Sequence, residues 1–170
     1  MVYSNHNTPA LKQRNVAEYI SGYVDGEGCF AVSFSKRAKM TVGWEVKPSF
    51  AVGQNHDRAE VLHIMQEYFS CGHIRRDFIG NNHTLKYEVR KLDDLTKIII
   101  PHFEGFTLLS SKQNDFTLFT QICCLLQQEE HRHLKGLERI LELAFQMNAS
   151  GRRKYSKKDI LTNAKLQMKI

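Results

Sequence analysis

Ile20-Ser21-Gly22-Tyr23-Val24-Asp25-Gly26-Glu27-Gly28 decides how the rest of this chain is read. From Val16 to Val24, small side chains fall at helical spacing: Ala17 and Ser21 lie four apart, with Gly22 beside them. A face of that kind has little side-chain height, and two of them bring helix backbones close together. Gly26 and Gly28 bracket Glu27, and both disfavour helix, so the helix stops there. A carboxylate is thereby delivered at the last turn of a helix built for close packing. Cys29-Phe30-Ala31-Val32-Ser33-Phe34 follows as a strand. Alone, Asp-Gly-Glu-Gly also fits a solvated turn. A calcium loop is excluded, because the twelfth position counted from Asp25 is Lys36 and not Glu.

The nine residues resemble the signature of the LAGLIDADG homing endonucleases. Gly22, Asp25 and Gly28 match it outright, Ile20 and Val24 are conservative, and Ser21 is small where the family has Ala. Glu27 stands where the family carries its metal-binding acid. The resemblance implies an α+β fold with the order αββαββα and additional C-terminal helices. It implies a single domain over 1–170, with a core at about 16–147 and a basic tail at about 148–170. The signature occurs once. Family members with one copy work as homodimers, so a homodimer is expected, with Ala17, Ser21, Gly22 and Asp25 at the helix crossing.

Composition agrees with a soluble domain that meets a polyanion. Of 170 residues, 42% are hydrophobic and 25% charged, with a formal net charge of +6. That balance favours nucleic acid as partner. No run of about 18 apolar residues predicts a membrane span, and the polar stretch Met1 to Leu11 lacks a signal-peptide core. The four cysteines have no paired spacing for zinc. They read as reduced thiols, which suits an intracellular reducing compartment, an organelle or a prokaryotic cytoplasm.

Along the chain, Met1 to Arg14 reads as an arm. A first strand is expected over Cys29–Ser35, a basic turn at Lys36-Arg37-Ala38-Lys39, and a second strand from Thr41 to Gly53. In that strand Val42, Trp44, Val46 and Phe50 face one way and Glu45, Lys47 and Ser49 the other. Pro48 hints at an edge or a bend. Asp57 is the expected cap of a helix to about Tyr68. Two further strands fall at Ile74–Phe78 and Leu85–Val89, separated by Gly80-Asn81-Asn82. Helices are expected over Leu92–Ile100, with Pro101 beyond, then Lys112–Gln127 and Leu134–Met147.

The resemblance also assigns chemistry. Glu27 would hold Mg²⁺, with the Gly26 carbonyl beside it; Mn²⁺ would substitute, and Ca²⁺ would support binding with little cleavage. In Gln54-Asn55-His56-Asp57-Arg58, Gln54 would position a water and Arg58 would act on the solvent network or a phosphate. A basic residue from a later helix completes such sites. Lys112 is the candidate, although one alignment puts Ser110 at that position. The partner implied is double-stranded DNA, read by the outward sheet face: Ser33, Ser35, Arg37, Lys39, Glu45, Lys47, Ser49, Arg75, Arg76, Lys86 and Glu88. Arg152, Arg153 and Lys154 would contact phosphates. Strands of about ten residues at roughly 3.3 Å each match about ten base pairs at roughly 3.4 Å. A dimer would then cover a pseudo-palindrome of roughly twenty base pairs and cut it with a stagger. The competing reading is a non-cleaving module on the same fold, an intron RNA splicing factor or a DNA-binding regulator. An HNH-type nuclease would need paired histidines in a ββα motif, which this chain does not have.

Overall fold

The computed structural model describes residues 15–79, 82–148, 151 and 153–169. The expectations for Met1–Arg14, for Gly80-Asn81 and for Arg152 lie outside the described residues. Helix α1 spans Val16–Glu27 and is capped by the Asn15 side chain, which accepts from the Glu18 N–H at 3.3 Å. Strands β1 (Gly28–Lys36) and β2 (Trp44–Asn55), helix α2 (Glu60–Phe69), and strands β3 (His73–Ile79) and β4 (Asn82–Val89) follow. A helical run, α3, comprises Leu92–Asp94, a π-helical turn Leu95–Ile99, and Ile100–Gly105. Three more helices complete the chain: α4 (Lys112–Gln127), α5 (Leu134–Ala144) and α6 (Lys157–Gln167). The order is the expected αββαββα, with extra helices after it.

The four strands form one antiparallel sheet in the order β1-β2-β4-β3. Strand alternation decides its two faces. Phe30, Val32, Trp44, Val46, Phe50, Val52, Tyr87 and Val89 are buried against the helices. Their sequence neighbours face outward. At the centre, the Phe30 ring lies 5.2 Å from Phe50, 5.4 Å from Phe103 of α3 and 5.2 Å from Phe116 of α4. Packing of this kind is non-directional in origin but geometric in detail, and deleting one such ring costs about 3–5 kcal/mol.

Several boundaries differ from expectation for local reasons. β2 starts at Trp44, because residues 37–43 close a turn in which Arg37 N–H bonds Gly43 O at 2.8 Å and Gly43 adopts φ +72°. Pro48 lies in the half of β2 that pairs with β1 alone, since β4 joins only from Phe50 onward; a missing N–H is tolerated there. Asp57 does not cap α2. It sits in a 3₁₀ turn, His56–Arg58, and the helix begins after Ala59 without a side-chain cap. Pro101 lies inside α3, not beyond it. The wide turn before it closes with Ile100 N–H on Leu95 O, which reshapes the ladder just where proline has no N–H to offer. The stretch expected as a basic tail carries α6. Its capping box joins Ser156 to Asp159, and Ile160 and Ala164 are buried in the core.

Candidate functional site

The exit from α1 builds the site. A Cβ added to Gly28 would lie 2.5 Å from Val24 Cγ1 and 2.8 Å from Val24 O, so only glycine fits where helix turns directly into β1. Glu27, the last helical residue, is exposed at that joint. Among the described residues its carboxylate has no hydrogen-bond or ion-pair partner, and no cluster of three His, Cys, Asp or Glu able to hold a metal occurs. Among the described residues, this helix end therefore offers one free acid.

The groups around the α1 terminus are fixed by named contacts. Asp25 accepts from Leu109 N–H at 3.0 Å and from Ser110 N–H at 2.9 Å, and Ser110 Oγ also donates to it. Desolvation alone would raise the Asp25 pKa. The Ser110 hydroxyl, the two backbone N–H groups and the Lys112 charge outweigh it and hold the carboxyl below its ordinary range. Lys112 Nζ donates to Val24 O at 2.8 Å, a carbonyl that also accepts from the Gly28 N–H, placing an ammonium at the negative end of the α1 dipole. Gln54, on β2, donates through Nε2 to the Tyr23 hydroxyl and accepts from Asn55 N–H at 2.8 Å. Glu27, Asp25, Lys112 and Gln54 are thus gathered at one helix end. Arg58 is not gathered with them. Its ion-pair contact is with Asp57 at 3.7 Å, and the two side chains are 74% and 71% exposed.

The close-packing face needs correction. Ala17 and Ser21 are buried within their own chain. Ser21 Oγ donates to Phe106 O at 2.8 Å, so the His102 Nε2 at 3.2 Å must be the protonated nitrogen, leaving Nδ1 to accept from Tyr68 OH at 3.2 Å. Asp25 is likewise spent on its own 109–110 segment. The open small stripe is Gly22 and Gly26, four apart, where an added Cβ would meet nothing within 4 Å. Exposed Leu109 (92%) lines a cleft with Gly22, and exposed Tyr19 (48%) lies one helical turn before Gly22.

On the sheet, Ser33, Ser35, Glu45, Lys47, Ser49, Arg75, Lys86 and Glu88 share the outward face, as their register requires. Arg76 does not. It pairs with Leu85 and so lies on the inner side, since consecutive strand residues cannot share a face. Arg37 and Lys39 sit in the exposed β1–β2 turn. The acids on this face are already engaged. Glu45 bonds Arg37 at 2.6 Å and Lys47 at 3.0 Å, and Asp77 bonds Arg75 at 3.0 Å and Lys86 at 2.8 Å. Glu88 is buried between Arg75 and Arg90 at 3.2 and 3.3 Å, so it is not free to accept from a base. Arg90 was not among the sequence candidates, although its place two residues beyond Glu88 carries the same strand parity.

Arg153 is not a free phosphate contact. Its guanidinium donates to Val32 O, Ala144 O and Met147 O and lies 4.6 Å from the Phe145 ring centre; burial pushes its pKa down. It ties the segment leading to α6 onto α5 and β1. Lys154 remains exposed, with Nζ 5.3 Å from the Tyr155 ring centre.

Comparison with known proteins is consistent with this geometry. The family model described as LAGLIDADG endonuclease matches residues 20–123. A probable intron-encoded endonuclease 2 from Neurospora crassa is 34% identical over 131 residues, 76% of this chain. The chain spans only 28% of that relative's length. Among solved structures, the archaeal intron-encoded homing endonuclease I-Vdi141I complexed with DNA is 28% identical, with a TM-score of 0.81 over 89% of this chain and 95% of the other. The homing endonuclease I-TnaI is 29% identical, with a TM-score of 0.76 over 89% of this chain and 97% of the other.

Proposed function

The chain belongs to the LAGLIDADG endonuclease family, and on that premise we propose that it is a site-specific DNA endonuclease acting as a homodimer. The observation that carries this reading is Glu27: an unpartnered carboxylate at the end of a helix whose exposed stripe is bare backbone at Gly22 and Gly26. Two such helices crossing at the glycines bring two acids together, one for each strand of a duplex. The target would be partly palindromic and roughly twenty base pairs long, judged from about 3.3 Å per strand residue, and the cuts would be staggered.

The donor set suits a hard divalent cation such as Mg²⁺. It offers carboxylate and the Gly26 carbonyl, with no thiolate or imidazole in the contacts described for that helix end. When bound, such an ion lowers the pKa of a coordinated water and offsets phosphate charge. Mn²⁺ would serve as well, while Ca²⁺ would support binding more than cutting. The protein's own groups do the rest. Lys112 uses one of three ammonium protons on Val24 O and keeps the others for a phosphate oxygen. Gln54, tethered by Tyr23, orients solvent beside the scissile bond. The outward sheet enters the major groove, and Lys154 adds a phosphate contact.

The experiment is cleavage selection: incubate the chain with a randomised duplex library and Mg²⁺, then sequence the cut ends of both strands. Enrichment of one partly palindromic site with offset breaks supports the reading. Binding without any cutting, while Glu27 is intact, would instead favour a splicing or regulatory module.

A further inference from the structure

Guanine presents two acceptors, O6 and N7, side by side in the major groove, and a bidentate arginine must offer two neighbouring nitrogens to them. A guanidinium can do this end-on through Nη1 and Nη2, or side-on through Nε and one Nη. The two arginines that share Glu88 differ in what they have left. Arg75 gives Nε to Glu88 Oε2 at 3.2 Å, and Nη1 to both Asp77 Oδ1 at 3.0 Å and Arg76 O at 3.4 Å. Only Nη2 remains, so no two-nitrogen fork is available. Arg90 approaches the same Glu88 oxygen through Nε at 3.3 Å, and its side chain is 61% exposed. Its Nη1 and Nη2 have no hydrogen-bond or ion-pair partner among the described residues, and it lines an open cleft at the edge of β2 that β4 does not cover, with Glu45, Lys47, Pro48, Leu126 and His131.

We infer that Arg90 is a guanine-reading residue of the sheet, that Glu88 is the positioning residue that aims it, and that Arg75 is a brace. This rests on the DNA-endonuclease reading above. Glu88 stays buried under both cations, with a side-chain exposure of 6%. The acid forms an ion pair with Arg90 at its Nε edge, which limits the rotamer freedom lost on binding and leaves the two Nη groups unengaged. Arg75 holds that same Glu88 oxygen and is itself locked by Asp77. In a homodimer the contact occurs twice, at positions related by the twofold axis.

The test is a binding selection on the full chain with a randomised duplex in Ca²⁺, followed by sequencing of retained DNA. The unmutated protein should show guanine at one symmetric pair of positions. Arg90→Lys keeps the charge but not the fork, and should relax that pair by about tenfold or more while total DNA affinity changes little. Glu88→Gln should relax the same pair and no other. Arg75→Ala should keep the preferred base everywhere. Arg90 is exposed, so its variant does not depend on the core. If Arg90→Lys selects the wild-type profile, or if Arg75→Ala alone erases a guanine, the assignment fails while the endonuclease reading stands. If the unmutated chain selects no DNA sequence at all, both fail together.

Discussion

Acidification should weaken this fold through the buried imidazole of His102. His102 is 7% exposed, and its two nitrogens are committed to Ser21 and Tyr68. Burial pulls its pKa from 6.5 down to about 4. The unfolded chain therefore takes up a proton near pH 6.5 and the folded chain does not until about pH 4. Stability from this group is complete above pH 6.5 and is lost as pH falls through the interval to about 4. At about 1.4 kcal/mol per pH unit, the loss approaches about 3 kcal/mol by pH 4. That is a large share of the roughly 5–15 kcal/mol that holds a domain of this size. The assay is urea unfolding at constant ionic strength between pH 7.5 and 4.5, for the wild type and for His102→Leu. Subtracting the two cancels the carboxylates common to both. The difference should be flat above pH 7 and fall steadily below it, and the His102 proton resonance should stay put until near pH 4. A resonance titrating at 6.5, or a difference that ignores pH, refutes the reasoning.

Glu27→Gln keeps shape and removes the anionic oxygen, so plasmid cleavage should fall by orders of magnitude, with DNA affinity retained in a gel shift. Gly22→Leu fills the open stripe while improving helix propensity by roughly 0.8–1 kcal/mol; sedimentation should report monomer with the fold intact. Ser21→Leu should instead destabilise the chain itself, because Phe106 O and His102 occupy that space. Arg153→Met removes the donor to the Met147 carbonyl and one of two donors to the Ala144 carbonyl, at a cost of about 1–3 kcal/mol, and should speed hydrogen exchange in α6.

Much of this was legible in the chain, and the misses have physical causes. The helix stop at Glu27 and the faces of β1 and β2 follow from two glycines and a period of two. Arg75-Arg76 was read as one basic patch, whereas strand geometry separates neighbours onto opposite faces. Small size makes Ala17 and Ser21 candidates for an open face, but it does not say which side of a helix is covered. That depends on His102 of α3 and on Phe106 just after it, which no local pattern could place. The run Arg152-Arg153-Lys154 hid α6, although Ser156 and Asp159 spell a capping box three residues apart. Glu88 looked like a base reader because charge is visible in sequence and its burial is not.

The joint at Gly28 leaves no slack between the Glu27 end of α1 and the outward surface of β1. With Val24 pressed against it, helix and strand move as one piece, like the fixed jaw of a caliper. Any tilt of the helix that carries Glu27 is a tilt of the outward residues of β1. Under the proposed function, the spacing between bases read and bond cut would be a constant of the backbone, set by residue count. One residue added at this joint would turn Ser33 and Ser35 inward and Phe30 and Val32 out into water. The length of the signature is therefore as constrained as its letters.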